Sequence, residues 1–177
     1  SKNEHNLHFI EEGEEAQQRL RAVSRLIDFT KSHTIVDICA ANGRIKRFLP
    51  ESIQYIPVDY QRYSDETVLC DLNRYEFPEV NLPSETCILL IASLQYAIDW
   101  KWLLKQIAAN CSVFICAHHD FVRMNREYRR TQFNNNNAVF NHQIILEMHK
   151  LGFVMVEAYD YHLRTVIMKF EKVPKKS

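Results

Sequence analysis

Along the chain, short apolar runs rich in β-branched residues alternate with stretches whose apolar positions recur every three or four residues, a pattern of strands interleaved with helices. In residues 11–31, Ala16, Leu20, Val23, Leu26 and Ile27 fall at helical spacing. Acidic residues crowd the start of that stretch, where the helix dipole favours them, so the pattern predicts an amphipathic helix that serves as a lid or as a packing layer. The run at 34–43 reads differently. Thr34, Ile35, Val36 and Ile38 are β-branched, as a strand buried on both faces requires, whereas Cys39, Ala40, Ala41 and Gly43 keep side chains small. This is a strand delivering a tight turn to which something must approach closely. Ile45, Phe48 and Leu49 then share one helical face before Pro50, so the turn is expected to open onto a helix N-terminus.

Further strands are predicted at 52–59, ending in Val58-Asp59, at 67–70, at 86–92 and at 112–117, with a helix at 100–109. Residues 118–141 break the pattern, being rich in Arg and Asn and containing the run Asn134-Asn135-Asn136-Asn137, which predicts a long functional loop with a helical piece. Asn141 is expected to cap a helix through His149 whose apolar face is Ile144, Ile145 and Met148, with Gly152 as its C-terminal turn. Strands at 153–159 and 166–170 are joined by a link short enough for a hairpin, so this last pair is antiparallel. Residues 1–10 read as a flexible arm, 11–173 as one domain and 174–177 as a polar tail, with no internal repeat. The alternation predicts a doubly wound α/β fold whose ligand sits at the carboxyl ends of the strands.

Composition narrows the partners. The 177 residues, 46% hydrophobic, suffice for one domain with a sizeable core. Lys+Arg and Asp+Glu are both 22, so no net field recruits nucleic acid or an acidic membrane surface, and a small or local substrate is favoured. The five cysteines (Cys39, Cys70, Cys87, Cys111, Cys116) form no C-x-x-C pair or other metal-ligand spacing, and read as reduced core thiols with no metal. No signal peptide is visible and the longest apolar run, at 87–97, is far short of a membrane span, which reads as cytoplasmic.

The small-residue turn after the first strand, the acid ending the second, Asp71-Leu72 after the third and Leu151-Gly152-Phe153 before the final pair occur in an order that resembles the class I S-adenosylmethionine-dependent methyltransferases, over residues 35–170. The resemblance implies a Rossmann-like, seven-stranded, mostly parallel sheet with an antiparallel last strand in a three-layer α/β/α arrangement, and S-adenosylmethionine as cofactor. It implies that Asp37 and the backbone of Cys39, Ala40, Ala41 and Gly43 cradle the methionine moiety, and that Asp59 accepts both ribose hydroxyls with Tyr60 beside the adenosine. Asp71 and the Leu72 N–H would meet the adenine, while Ser93, Gln95 and Tyr96 would line the reactive end, the aromatic ring of Tyr96 lying against the sulfonium. Cys39 and Ala41 stand where the family carries glycine, so a positive φ at either would be strained.

For a hydroxyl acceptor, His118, His119 and Asp120, directly after the fifth strand, are the candidates for proton removal. Arg123, Arg126 and Arg130 share a face at helical spacing and could clamp a phosphate or carboxylate, or form a solvated face with Glu127. No Asn-Pro-Pro-Tyr-like run or Pro-Cys nucleophile follows the fourth strand, which argues against methylation of base amines or of the cytosine ring. The expected activity is methyl transfer to a small or surface-accessible acceptor, such as a saccharide or other metabolite hydroxyl. The alternative is a catalytically silent fold mate that binds and regulates a partner protein. A nicotinamide-dependent oxidoreductase ranks last, because the G-x-G-x-x-G fingerprint is missing.

Overall fold

In the computed structural model, which describes residues 13–119, 139–162 and 165–177, the apolar runs become the strands of one sheet. These are β1 (Thr34–Ile38), β2 (Gln54–Asp59), β3 (Val68–Leu69), β4 (Thr86–Ile91), β5 (Val113–His119), β6 (Phe153–His162) and β7 (Thr165–Lys172). Their order is β3-β2-β1-β4-β5-β7-β6. All neighbours pair in parallel except β7, which is antiparallel to both β5 and β6. Thr34 aligns with Gln54 on one side and with Thr86 on the other, so β1 sits at the point where the winding reverses. In open sheets wound this way, ligands bind outside the carboxyl ends of the strands at that point.

Alternation along the strands sends side chains into two separate apolar layers. On one face Ile35, Cys87, Leu89, Ile115 and Ile167 meet Leu20, Val23 and Ile27 from the helix α1 (Glu14–Arg25) and its C-terminal extension. On the other, Val36, Ile88, Leu90 and Phe114 meet Leu103 and Ile107 of α2 (Trp100–Asn110) and Ile144 and Met148 of α3 (Asn141–Lys150). Ile88, Leu89 and Leu90 are 0% exposed, so consecutive residues of β4 serve opposite layers, each stabilising the fold by about 1.5–3 kcal/mol. The result is the expected three-layer α/β/α arrangement. Among the described residues no helix is long and apolar enough to cross a membrane.

Local competition shifts several boundaries. α1 ends at Arg25 instead of running to residue 31, because the Asp28 carboxylate accepts the Thr30 N–H (3.0 Å) and hydroxyl (2.6 Å) and closes a turn in place of another helical one. The expected helix after the turn is only a 3-10 segment, Arg44–Phe48, between Gly43 and Pro50. Its shortness denies the turn a full helix dipole. Asn141 is the first helical residue of α3 and not its cap: the flanking Phe140 N–H donates to Gln143 Oε1 at 2.8 Å. Gly152, at φ +86°, does end that helix as expected. The arm at 1–10 and the link residues 163–164 lie outside the described residues.

Candidate functional site

The turn after β1 carries the strain its sequence foreshadows. Cys39 has φ 58°, Ala41 φ 49° and Gly43 φ 66°, three left-handed residues in alternation, only the last of which is a glycine. Each non-glycine residue there costs about 1–2 kcal/mol, so the surrounding contacts must hold the shape. Ala40 N–H donates to the Val58 carbonyl (3.0 Å) and Gly43 N–H to the Ala40 carbonyl (2.9 Å). Ala41 N–H donates to Asp59 Oδ2 at 3.0 Å. Asp59, 6% exposed, is thereby aimed into the turn, and its Oδ1 accepts Gln61 N–H at 3.3 Å. A carboxylate has about four lone-pair sites, so after these two bonds Asp59 retains capacity for two more donors.

Below the turn lies Asp37, 4% exposed on the α1 face of the sheet. Burial pushes its carboxyl up to about 7, with the Asp59 charge adding to the effect and the Tyr55 hydroxyl opposing it by donating to Oδ2 at 2.5 Å. Tyr55 is raised in turn, by its own burial first and then by the neighbouring Asp37. Cys39 is pushed up to about 12 by burial, with Asp59 and Asp37 reinforcing and a hydrogen bond with Ser93 opposing. Its thiol is therefore a neutral small group and not a nucleophile. All five cysteines are free.

The other loops join the same rim. Ala92, ending β4, is again left-handed (φ 55°) and donates its N–H to the Ala117 carbonyl of β5 at 2.7 Å. Ser93 Oγ donates to the Ile91 carbonyl (2.9 Å), and the buried Gln95 donates Nε2–H to the Ala92 carbonyl (2.7 Å). Gln95 Oε1, equally buried, has no hydrogen-bond partner among the described residues. Asp71 acts as the cap of a short 3-10 turn, Leu72–Arg74, accepting Asn73 N–H at 3.0 Å. The Asn73 side chain then spans to the β4 loop: Nδ2–H donates to the Tyr96 carbonyl (3.1 Å) and Oδ1 accepts Ile98 N–H (3.0 Å).

Cys39, Ala40, Ala41, Gly43, Asp71, Leu72, Ser93, Gln95 and Tyr96 lie on the loops after the carboxyl ends of β1, β3 and β4, with Asp59 the last residue of β2 and Asp37 inside β1 below the turn. Tyr60 follows Asp59 but is 66% exposed, and Tyr96 is 55% exposed. His118 is fully buried in β5, and its Nε2 lies 2.6 Å from the Val139 carbonyl, which can only accept, so the proton is on Nε2. His119 is partly exposed, with Nδ1 3.4 Å from Thr165 Oγ1. Asp120, Arg123, Arg126 and Arg130 lie outside the described residues. The sequence reading missed Tyr55, Asn73 and the left-handed Ala92. For Tyr55 the sequence held no signal: it is 18 residues from Asp37, and only the parallel β1–β2 register turns the two to the same layer.

No protein-family model matches the sequence, and no curated protein matches it. Solved structures are similar in shape across most of the chain. The [4+2]-cyclase SpnF matches with a TM-score of 0.69 and 10% identity, over 89% of this chain and 80% of that one. A SAM dependent methyltransferase from Aquifex aeolicus matches at 0.66 and 9%, over 87% and 89%. The magnesium protoporphyrin IX methyltransferase of Synechocystis, with S-adenosylhomocysteine bound, matches at 0.66 and 9%, over 90% and 84%. The strand order, the antiparallel β7 and these likenesses together give the chain the Rossmann-like fold of the class I S-adenosylmethionine-dependent methyltransferases.

Proposed function

We propose that the chain binds S-adenosylmethionine across the carboxyl ends of β1 to β4 and is a methyltransferase acting on a small or surface-accessible acceptor, such as a saccharide or other metabolite hydroxyl. The observation that carries this reading is the turn at 39–43: two non-glycine residues are held left-handed beside a buried acid, and strain of this kind survives where a site needs the shape. The residues fit the group. Small side chains leave the turn's backbone approachable, and Asp59 keeps acceptor capacity suited to two ribose hydroxyls.

In this reading the turn's backbone, with small side chains that let it be approached closely, cradles the methionine moiety, Asp59 orients the ribose, and Asp71 with the Leu72 N–H reads the adenine. Ser93, Gln95 and Tyr96 border the reacting end, where the cofactor when bound supplies an activated methyl group. The chain's contribution is alignment and exclusion of water, and such positioning supplies up to about 7–11 kcal/mol. Because His118 Nε2 is committed to Val139, proton removal from a hydroxyl acceptor falls to His119 or Asp120. Arg123, Arg126 and Arg130 are assigned to the acceptor from their sequence spacing alone. A cofactor-binding methyltransferase is preferred to a catalytically silent fold mate that regulates a partner protein because the turn is held in shape, which a silent fold mate would not need.

Titration calorimetry with S-adenosylhomocysteine tests this. Wild type should bind, and Asp59→Ala should weaken binding by about 1–3 kcal/mol while the protein stays folded. A folded variant with unchanged affinity would move the cofactor elsewhere, and a wild type that does not bind would leave the partner-binding reading in possession.

A further inference from the structure

The turn at 39–43 needs more support than its own hydrogen bonds provide, because glycine stands at only one of its three left-handed positions. Tyr55 supplies a contact at each end of it. Its hydroxyl donates to Asp37 Oδ2 at 2.5 Å, one residue before β1 ends. The same oxygen lies 3.0 Å from where a Cβ on Gly43 would stand, with ring Cε1 at 3.2 Å, so the phenol fills the space beneath the turn's last residue. The ring itself is fixed by packing against the layer that contains Ile35 and Ile45. A rigid side chain of β2 therefore spans the turn from its entry to its exit.

We infer that Tyr55 is a positioning residue, which holds the left-handed turn in its binding shape by its hydrogen bond to Asp37 and by filling the space beside Gly43. It touches no ligand and acts through Asp37 and Gly43. The inference rests on the reading that this turn receives the cofactor's methionine end, but its first consequence shows without any ligand. Tyr55→Phe keeps the ring and deletes the bond to Asp37, freeing the turn while leaving the two apolar layers intact. Gly43→Ala drives a Cβ to 3.0 Å from the Tyr55 oxygen, and that closest clash is removed in the double variant although the 3.2 Å approach to ring Cε1 and the strain of φ 66° remain.

The test combines residue-resolved amide exchange with S-adenosylhomocysteine titration on wild type, Tyr55→Phe, Gly43→Ala and the double variant. In Tyr55→Phe, exchange at Ala41 and Gly43 should speed by about tenfold, with Ile88 and Leu90 of β4 unchanged, and the dissociation constant should rise by about tenfold. Gly43→Ala should weaken binding less in the Tyr55→Phe background than in wild type, a rescue that a tyrosine acting only on general stability would not give. Unchanged exchange at Ala41 and Gly43 in Tyr55→Phe would overturn the inference, as would strictly additive losses in the cycle. If wild type binds and Tyr55→Phe matches it in exchange and affinity, the cofactor reading stands and this inference falls. If exchange speeds as stated but wild type binds nothing, Tyr55 positions the turn and the cofactor reading falls.

Discussion

Burial governs the residues under the turn, and Asp37 shows it most clearly. Its carboxyl is raised from the ordinary 3.8 to about 7. A raised acid contributes stability that is fully present below the unfolded value and is lost as pH rises through the folded one. Asp37→Asn removes that dependence while its amide oxygen still accepts the Tyr55 hydroxyl. The variant should therefore gain on wild type between about pH 4 and pH 7, at up to about 1.4 kcal/mol per pH unit, and the difference should be flat above that window. Denaturant unfolding at pH 5, 6, 7 and 8 reads the effect; a difference independent of pH would show that Asp37 is ionised throughout. A second residue-scale expectation concerns Ala41. Glycine there relieves about 1–2 kcal/mol of left-handed strain against about 0.4–1 kcal/mol of added unfolded-chain entropy, so Ala41→Gly should leave stability unchanged or raise it by up to about 1.6 kcal/mol. A loss of stability by the same unfolding measurement would mean the turn's φ is not what limits it. The sequence showed where the strain would fall, since small residues stood at glycine positions. What restrains it was hidden, because Tyr55 is 18 residues from Asp37 and the two meet only when β1 and β2 take their register.

Between elements, single side chains do the joining. Asn73 ties the loop after β3 to the loop after β4 on both sides of Ala97. Asn73→Ala should cost about 1–3 kcal/mol, from two exposed hydrogen bonds of about 0.5–1.5 kcal/mol each, and should speed amide exchange at Ile98. Asn73→Asp keeps the acceptor for Ile98 N–H but sets a carboxylate against the Tyr96 carbonyl, so it should not rescue the loss. Normal exchange at Ile98 in Asn73→Ala would contradict the bridge. His118 plays a comparable part, its Nε2–H meeting the Val139 carbonyl just before α3. Elements were legible wherever burial set the pattern: the strands and the cores of α2 and α3 follow the apolar periodicity. Their ends were less so, because Asp28 and Gln143 decide them by capturing particular backbone or hydroxyl donors. Hydrophobic spacing carries no record of that choice.

For the whole molecule, the order of motifs along the chain carried the topology. A strand with a small-residue turn, an acid-ended strand and a closing antiparallel pair fit the observed order β3-β2-β1-β4-β5-β7-β6. The meeting of the loops into one rim was only partly visible, since the bonds that join them cross between the β1 turn and β2 and from the β3 loop to the β4 loop. The central claim is that this rim holds S-adenosylmethionine. A crystal structure of the chain grown with S-adenosylhomocysteine tests it most directly. The account predicts the ligand across the carboxyl ends of β1 and β4, its methionine moiety on the backbone of residues 39–43 and its ribose hydroxyls on Asp59, with Cys39 and Ala41 still left-handed. A folded chain with the ligand elsewhere, or with the rim empty at saturating ligand, would contradict it.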